Sequence, residues 1–221
     1  NYVSNKERRT SCVTLAVALG CLTVLGVILA VAVLERPPAP KDHETLPGEA
    51  EGSTVTDQCS VALVESIPLH VQYKDNETFG IPLDQVWKHL LSVATSRVEV
   101  ASFYWTLTGE DINVNSSSDI PGRDIFKELQ ELPSRNVSVR VVTSVPTVKT
   151  NSTDLKILKQ KGVQVRKVNF GRLTEGVLHS KFWIVDRKHV FIGSANMDWR
   201  ALTQVKELGV VVYNCSSLAS D

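Results

Sequence analysis

Twenty-three residues without a single charge, Cys12 to Leu34 (C-V-T-L-A-V-A-L-G-C-L-T-V-L-G-V-I-L-A-V-A-V-L), constrain this chain more than anything else in it. As a helix rising about 1.5 Å per residue, the run is long enough to cross a hydrocarbon core of about 30 Å. A cleaved leader has a shorter apolar stretch, roughly 7–15 residues, ending in small residues. Here the run is longer and ends in Glu35-Arg36-Pro37-Pro38. Lys6, Arg8 and Arg9 precede it and only Arg36 closely follows. Positive flanks stay in the cytosol. The expectation is a cytosolic tail over 1–11, a transmembrane signal-anchor helix over 12–34, and a lumenal remainder.

Two further features point to the same side. Asn76, Asn115, Asn136, Asn151 and Asn214 each begin an N-x-[ST] sequon, and all five follow the span, as in a glycosylated lumenal domain. Cys12 and Cys21 lie in or beside the span, so Cys59 and Cys215 remain after it. An oxidising compartment permits their pairing, which would close a long loop worth about 4–5 kcal/mol in the chain-entropy model. Two free thiols are the alternative.

The 24 basic and 24 acidic side chains cancel. That argues against holding nucleic acid by bulk charge, yet leaves room for a local basic site that grips a few phosphates. Residues 35–58, rich in Pro, Glu, Gly and Thr, read as a lumenal stalk. From Cys59 onward strand and helix signals alternate. Val61–Ile67, Arg97–Trp105, Val137–Thr143, Val163–Val168 and Leu208–Tyr213 read as strands. Leu83, Val86, Trp87, Leu90 and Leu91 recur at helical spacing, as do Ile125, Phe126, Leu129 and Leu132. Ser152 or Thr153 can cap a helix that runs to Lys161 and stops at Gly162. Leu178–Val185 and Val190–Ile192 flank a short connection over Asp186–His189 and predict a hairpin. Gly109–Pro121 reads as an exposed loop. Repeated strand–helix units predict an α/β fold, a mixed, largely parallel sheet flanked by helices on both faces.

Chemistry concentrates in His179 to Asn196 (H-S-K-F-W-I-V-D-R-K-H-V-F-I-G-S-A-N). His179 and Lys181 are two apart on a predicted strand and so share a face. Imidazole can attack phosphorus or move a proton near neutral pH. Ammonium neutralises the phosphoryl oxygens as charge shifts in the transition state. Gly193-Ser194 can bring backbone N–H groups close to an anion. The Ser194 and Asn196 side chains add neutral donors. The arrangement calls for no metal or cofactor: the cysteines are distant and no carboxylate pair stands beside His179. Singly, each residue has a bland explanation, His179 as a structural strand residue and Asp186 as a turn starter. The information is in the full spacing, H-x-K-x4-D-x6-G-S-x-N.

That spacing is similar to the signature of the phospholipase D superfamily, at every position. The stretches A-L-V-E-S-I-P, A-S-F-Y-W-T-L-T and G-S-A-N-M-D-W-R-A-L-T-Q-V-K-E-L-G-V-V-V-Y-N-C-S resemble the type II membrane branch that includes mammalian family members three and four. The resemblance covers roughly Cys59 to Asp221. It implies a lumenal, endolysosomal 5′→3′ exonuclease on single-stranded DNA and RNA, working through a phosphohistidine, and a disulfide between Cys59 and Cys215. It implies His179 as nucleophile, or as acid/base if the halves divide labour the other way. Lys181 and Asn196 would bind the scissile phosphate with help from Ser194. Asp186 is grouped with His179 and Lys181 among the catalytic residues but would order the strand end. Phe103, Tyr104 and Trp105 are a stacking platform for bases or core packing. Family enzymes set two such motifs face to face, and one is present here. The expectation is a first catalytic half over 59–221, completed by C-terminal sequence or by a dimer mate. The same chemistry fits a lipid phosphodiesterase or transphosphatidylase, and a short form acting as a non-catalytic partner is the third alternative.

Overall fold

Apolar runs become strands and helices close to where the sequence puts them. The structure, a computed structural model, describes residues 57–74, 78–145, 152–172 and 174–220. The expected tail, span and nearly all of the stalk lie outside the described residues, as do Asn76 and Asn151. Among the described residues, no helix is long and apolar enough to cross a membrane.

The strands are β1 (Ser60–Ser66), β2 (Ile81–Pro82), β3 (Arg97–Ser102), β4 (Trp105–Thr106), β5 (Ser138–Ser144), β6 (Gln164–Val168), β7 (Phe182–Val185), β8 (His189–Gly193), β9 (Met197–Asp198) and β10 (Glu207–Tyr213). The helices are α1 (Leu83–Val93), α2 (Ile120–Glu131), α3 (Thr153–Gln160), α4 (Trp199–Thr203) and α5 (Ser216–Ser220). Local chemistry sets several ends. Ser152 caps α3 by accepting from the Leu155 N–H at 3.3 Å, and Gly162 takes a φ of 97° just beyond it. Asp186 and Arg187, both at φ 53°, form the turn between β7 and β8, closed by Lys188 N–H to the Val185 carbonyl at 2.9 Å. Gly109–Pro121 is less loop-like than its composition predicts. It contains short 3-10 turns at Glu110–Ile112 and Ser117–Asp119, and Asp119 is buried.

Eight strands form one sheet in the order β2-β1-β10-β8-β7-β3-β5-β6, and β4 pairs with β9 separately. The sheet is mixed, but the expectation of a largely parallel one is wrong. β1–β2, β3–β5 and β5–β6 are parallel, whereas β1–β10, β10–β8, β8–β7 and β7–β3 are antiparallel. Crossover helices connect β3, β5 and β6, which makes those strands parallel. After β6 the chain returns by a hairpin and short links, which produce antiparallel pairs.

Helices on both faces is likewise corrected. Trp87, Leu90 and Leu91 of α1 and Ile125 and Leu129 of α2 pack in one cluster with Val98, Val100, Val141, Trp183, Val185, Phe191 and Val211 on one face of the sheet. Trp87 stacks on Trp183 at 5.0 Å and meets Phe191 edge-on at 5.8 Å, fixing α1 to the β7–β8 hairpin. The opposite face is open at Val61, Leu63, Ile192 and Leu208. Antiparallel connections carry no crossover helix to cover that side. Cys59 and Cys215 form a disulfide, tying the start of β1 to the end of β10 across 156 residues of sequence.

Candidate active site

β7 begins at Phe182, four residues later than the apolar run from Leu178 predicts, so His179 and Lys181 sit on its N-terminal approach rather than within it. Lys181 is still held to the sheet, its carbonyl accepting from Gly193 N–H at 3.1 Å. Lys181 as a residue is 7% exposed while His179 is exposed. Lys181 Nζ lies 3.1 Å from His179 Nδ1 and donates to the His179 carbonyl at 2.6 Å. The H-x-K spacing therefore does bring imidazole and ammonium side by side. Which atom donates in the Nζ–Nδ1 contact follows the ring tautomer, and His179 Nε2 has no hydrogen-bond partner among the described residues. Burial lowers the Lys181 pKa, and the negative charge of Glu207 works the other way.

The end of β3 forms the wall of this pair. The Phe103 ring centroid is 5.2 Å from that of His179 and 5.8 Å from Lys181 Nζ. Tyr104 donates to Asp198 at 2.9 Å. Burial, with the charge of Asp198, pushes its phenol up to about 12. Arg200 clamps the other side of the buried Asp198 through Nε at 3.0 Å and Nη2 at 2.7 Å. Trp105 is core. The F-Y-W stretch thus divides into a ring against His179, a hydrogen-bonded phenol and a packing residue, with no continuous stacking platform.

Asn196 approaches from the loop after β8. Its Oδ1 accepts from Ser102 Oγ at 3.5 Å. Ser194 does not face the pair as a free donor, because its hydroxyl bonds to Glu207. Glu207 was not singled out from the sequence, yet it joins Ser194 by that bond and Lys181 by charge. The signal is weak: an acidic residue beginning the last strand, opposite the loop after Gly193, as the Gly209–Gly193 pairing fixes.

Two sequence expectations change here. The backbone N–H groups of Gly193 and Ser194 are not available to an anion. They donate to the Lys181 carbonyl (3.1 Å) and the Leu208 carbonyl (2.9 Å). Glycine is needed at 193 for strand contact instead, since a Cβ there would lie 2.9 Å from both the Leu208 carbonyl oxygen and the Phe191 ring. Asp186 stands at the far end of β7 from His179. Its carboxylate accepts from Thr95 N and Oγ1 (both 2.7 Å), Ser96 N and Oγ (both 2.9 Å) and Arg97 N (2.7 Å). Partial burial disfavours its charge, but these donors, led by Arg97 N–H, hold it well below the usual carboxylate range. Its role is to fasten the hairpin turn to the start of β3, away from the reacting groups.

A family profile described as PLD3/4, PLD-like domain matches residues 74–221. The chain is 48% identical over 223 residues to the 5′-3′ exonuclease PLD4 of Homo sapiens, covering 92% of this chain and 44% of that protein. It is 51% identical over 165 residues to the 5′-3′ exonuclease PLD3 of Xenopus tropicalis, covering 75% and 33%. It therefore spans less than half the length of these curated relatives. Among solved structures it is similar in fold to Nuc of Salmonella typhimurium, a phospholipase D family member, with a TM-score of 0.51 and 20% identity, covering 74% of this chain and 88% of that one. NucT from Helicobacter pylori gives a TM-score of 0.51 at 17% identity, covering 74% and 90%.

Proposed function

The chain belongs to the PLD3/4 family of phospholipase D-like domains, and from that membership and the site geometry we infer that it supplies one half of a phosphodiesterase site acting on single-stranded DNA or RNA from the 5′ end. The observation that carries this is the 3.1 Å approach of Lys181 Nζ to His179 Nδ1 just before β7, with His179 exposed. The relatives named 5′-3′ exonuclease supply the substrate class and polarity.

In this reading Lys181 and the Asn196 amide bind the scissile phosphate. In the tautomer whose ring proton is on Nδ1, the lone pair of His179 Nε2 attacks phosphorus, and a P–N bond forms as the bond to the leaving oxygen breaks. The leaving oxygen takes its proton from an acid in a second H-x-K set, contributed by further chain or by a second copy. Water then attacks phosphorus, passes a proton to that same group now acting as base, and releases His179. Lys181 steadies the phosphoryl oxygens through both steps. Ser194 and Glu207 act on Lys181 by position and charge.

We place this half on the lumenal side of an endolysosomal membrane, held by the 12–34 span. The flanking charges support that orientation. Asn115, Asn136 and Asn214 are all exposed, as glycan acceptors must be.

The test uses a 5′-labelled single-stranded oligonucleotide at acid pH with protein containing both H-x-K sets. His179→Ala should reduce turnover below about 1% of wild type, since removing a covalent catalyst costs orders of magnitude. Turnover above that level would refute the role of His179. A wild-type protein that ignores the oligonucleotide but cleaves a phosphatidylcholine vesicle would replace the nuclease by a lipid phosphodiesterase.

A further inference from the structure

The chain has no net charge, yet its cations are not evenly spread. Helix α3 and edge strand β6 enclose an open groove of about 750 Å³. Lys156 and Lys159, three apart on one face of α3, line one side, and Val165 and Lys167 of β6 line the other, while the Arg166 side chain alternates to the opposite face of the sheet beside Gln164 and Arg140. Its floor is Leu155 and Val165. Among the described residues no carboxylate and no aromatic ring lines it. Lys156 and Lys159 are exposed and make no ion pair with a described carboxylate. The nearby acids are engaged elsewhere. Asp154 accepts from Leu107 N at 2.5 Å and Thr108 Oγ1 at 2.6 Å, and Asp111 accepts from Thr153 N at 2.9 Å and Oγ1 at 2.6 Å.

The groove opens toward the reacting pair. Lys167 is paired in register with Thr143 of β5. The Thr143 hydroxyl donates to the Phe103 carbonyl at 3.0 Å, and the Phe103 ring packs on His179. At about 4.8 Å per strand, two strand spacings put the groove mouth roughly 10 Å from the end of β3.

We propose that this groove is a second binding site, a track for the phosphate backbone of a single-stranded nucleic acid whose end lies at His179. The proposal rests on the single-strand reading above and adds where the rest of the strand goes. The cations meet successive phosphates, and the lack of rings makes the grip indifferent to base sequence. An anionic bilayer is a poorer fit. The surface is concave, and its apolar residues are recessed rather than raised for insertion.

The experiment measures binding of a fluorescent 12-nucleotide single strand to the His179→Ala protein, which does not consume it, over a salt series. The Lys156→Gln/Lys159→Gln/Lys167→Gln variant should bind at least tenfold more weakly. Its slope of log affinity against log salt should fall by about 2, three lost contacts at roughly 0.7 each. A charge-matched control, Lys88→Gln/Arg123→Gln/Lys127→Gln on α1 and α2, should keep the wild-type slope. Equal slopes in the groove variant and the His179→Ala parent would overturn the proposal, as would an equal drop in the control. Groove-dependent binding to phosphatidylserine vesicles but not to the oligonucleotide would overturn it in favour of a membrane. Failure of catalysis is separate: a wild-type protein that binds through the groove but cleaves nothing refutes the active-site reading and leaves the track standing.

Discussion

Lys181 places a charged group where only 7% of the residue is exposed, and its surroundings decide whether that charge is useful. Burial favours the neutral amine, Glu207 favours the ammonium, and the His179 carbonyl takes one N–H. The group is thus partly desolvated beside the imidazole it serves, where its field is least screened by water. Asp186 solves the opposite problem, a carboxylate with five donors and no reacting partner. Asp186→Asn should destabilise the fold by about 2–4 kcal/mol in urea denaturation, because amide N–H groups would face the donors of Thr95, Ser96 and Arg97. A loss below about 0.5 kcal/mol would show that the turn is fastened by other contacts. The motif spacing set His179 beside Lys181, whose side chains approach to 3.1 Å, and Asn196 meets Ser102 at the end of the neighbouring strand. It also grouped Asp186 with them, since a sequence pattern cannot tell a residue facing substrate from one at the other end of the same strand. Glu207 escaped notice because its link to Ser194 is a pairing between β8 and β10, set by tertiary register.

At the scale of elements, period and punctuation carried most of the fold. Helix α3 ends where Ser152 and Gly162 put its limits, and the helical repeat of Leu83 to Leu91 is the buried face of α1. Strand direction was not legible, because the same β-branched runs suit parallel and antiparallel pairing. The β3 run also continued too far: Trp105–Thr106 leaves the main sheet to pair with Met197–Asp198. Helix α3 is docked by Asp154, a buried carboxylate that accepts from the 107–108 backbone and from Thr108 Oγ1. Burial raises its pKa to about 6, against the donors that favour its charge. A raised value means the folded chain binds this proton more tightly than the unfolded one. The stabilisation is therefore complete below about pH 4 and lost as pH rises through about 6. The difference in unfolding free energy between wild type and Asp154→Asn should shift in favour of wild type by up to about 3 kcal/mol between pH 7 and pH 4. A pH-independent difference, read from urea titrations, would rule out this docking carboxylate as a titrating group.

For the whole molecule, the disulfide and the Trp87–Trp183–Phe191 cluster hold the sheet as one platform, and the His179–Lys181 pair sits where its interior strand β7 begins. Net charge concealed the arrangement of charge: a neutral total coexists with a groove of three lysines near the site. Neither the groove nor the open sheet face could be read from the sequence, because both depend on which elements become neighbours. The central claim is that His179 takes the phosphoryl group. Its most direct measurement is rapid acid-free quenching of the protein, with both H-x-K sets present, during turnover of a ³²P-labelled single strand, followed by peptide mapping. The account predicts a base-stable, acid-labile label on the peptide containing His179, absent from His179→Ala. A label on another residue, or full turnover with no label on that histidine at any quench time, would contradict it.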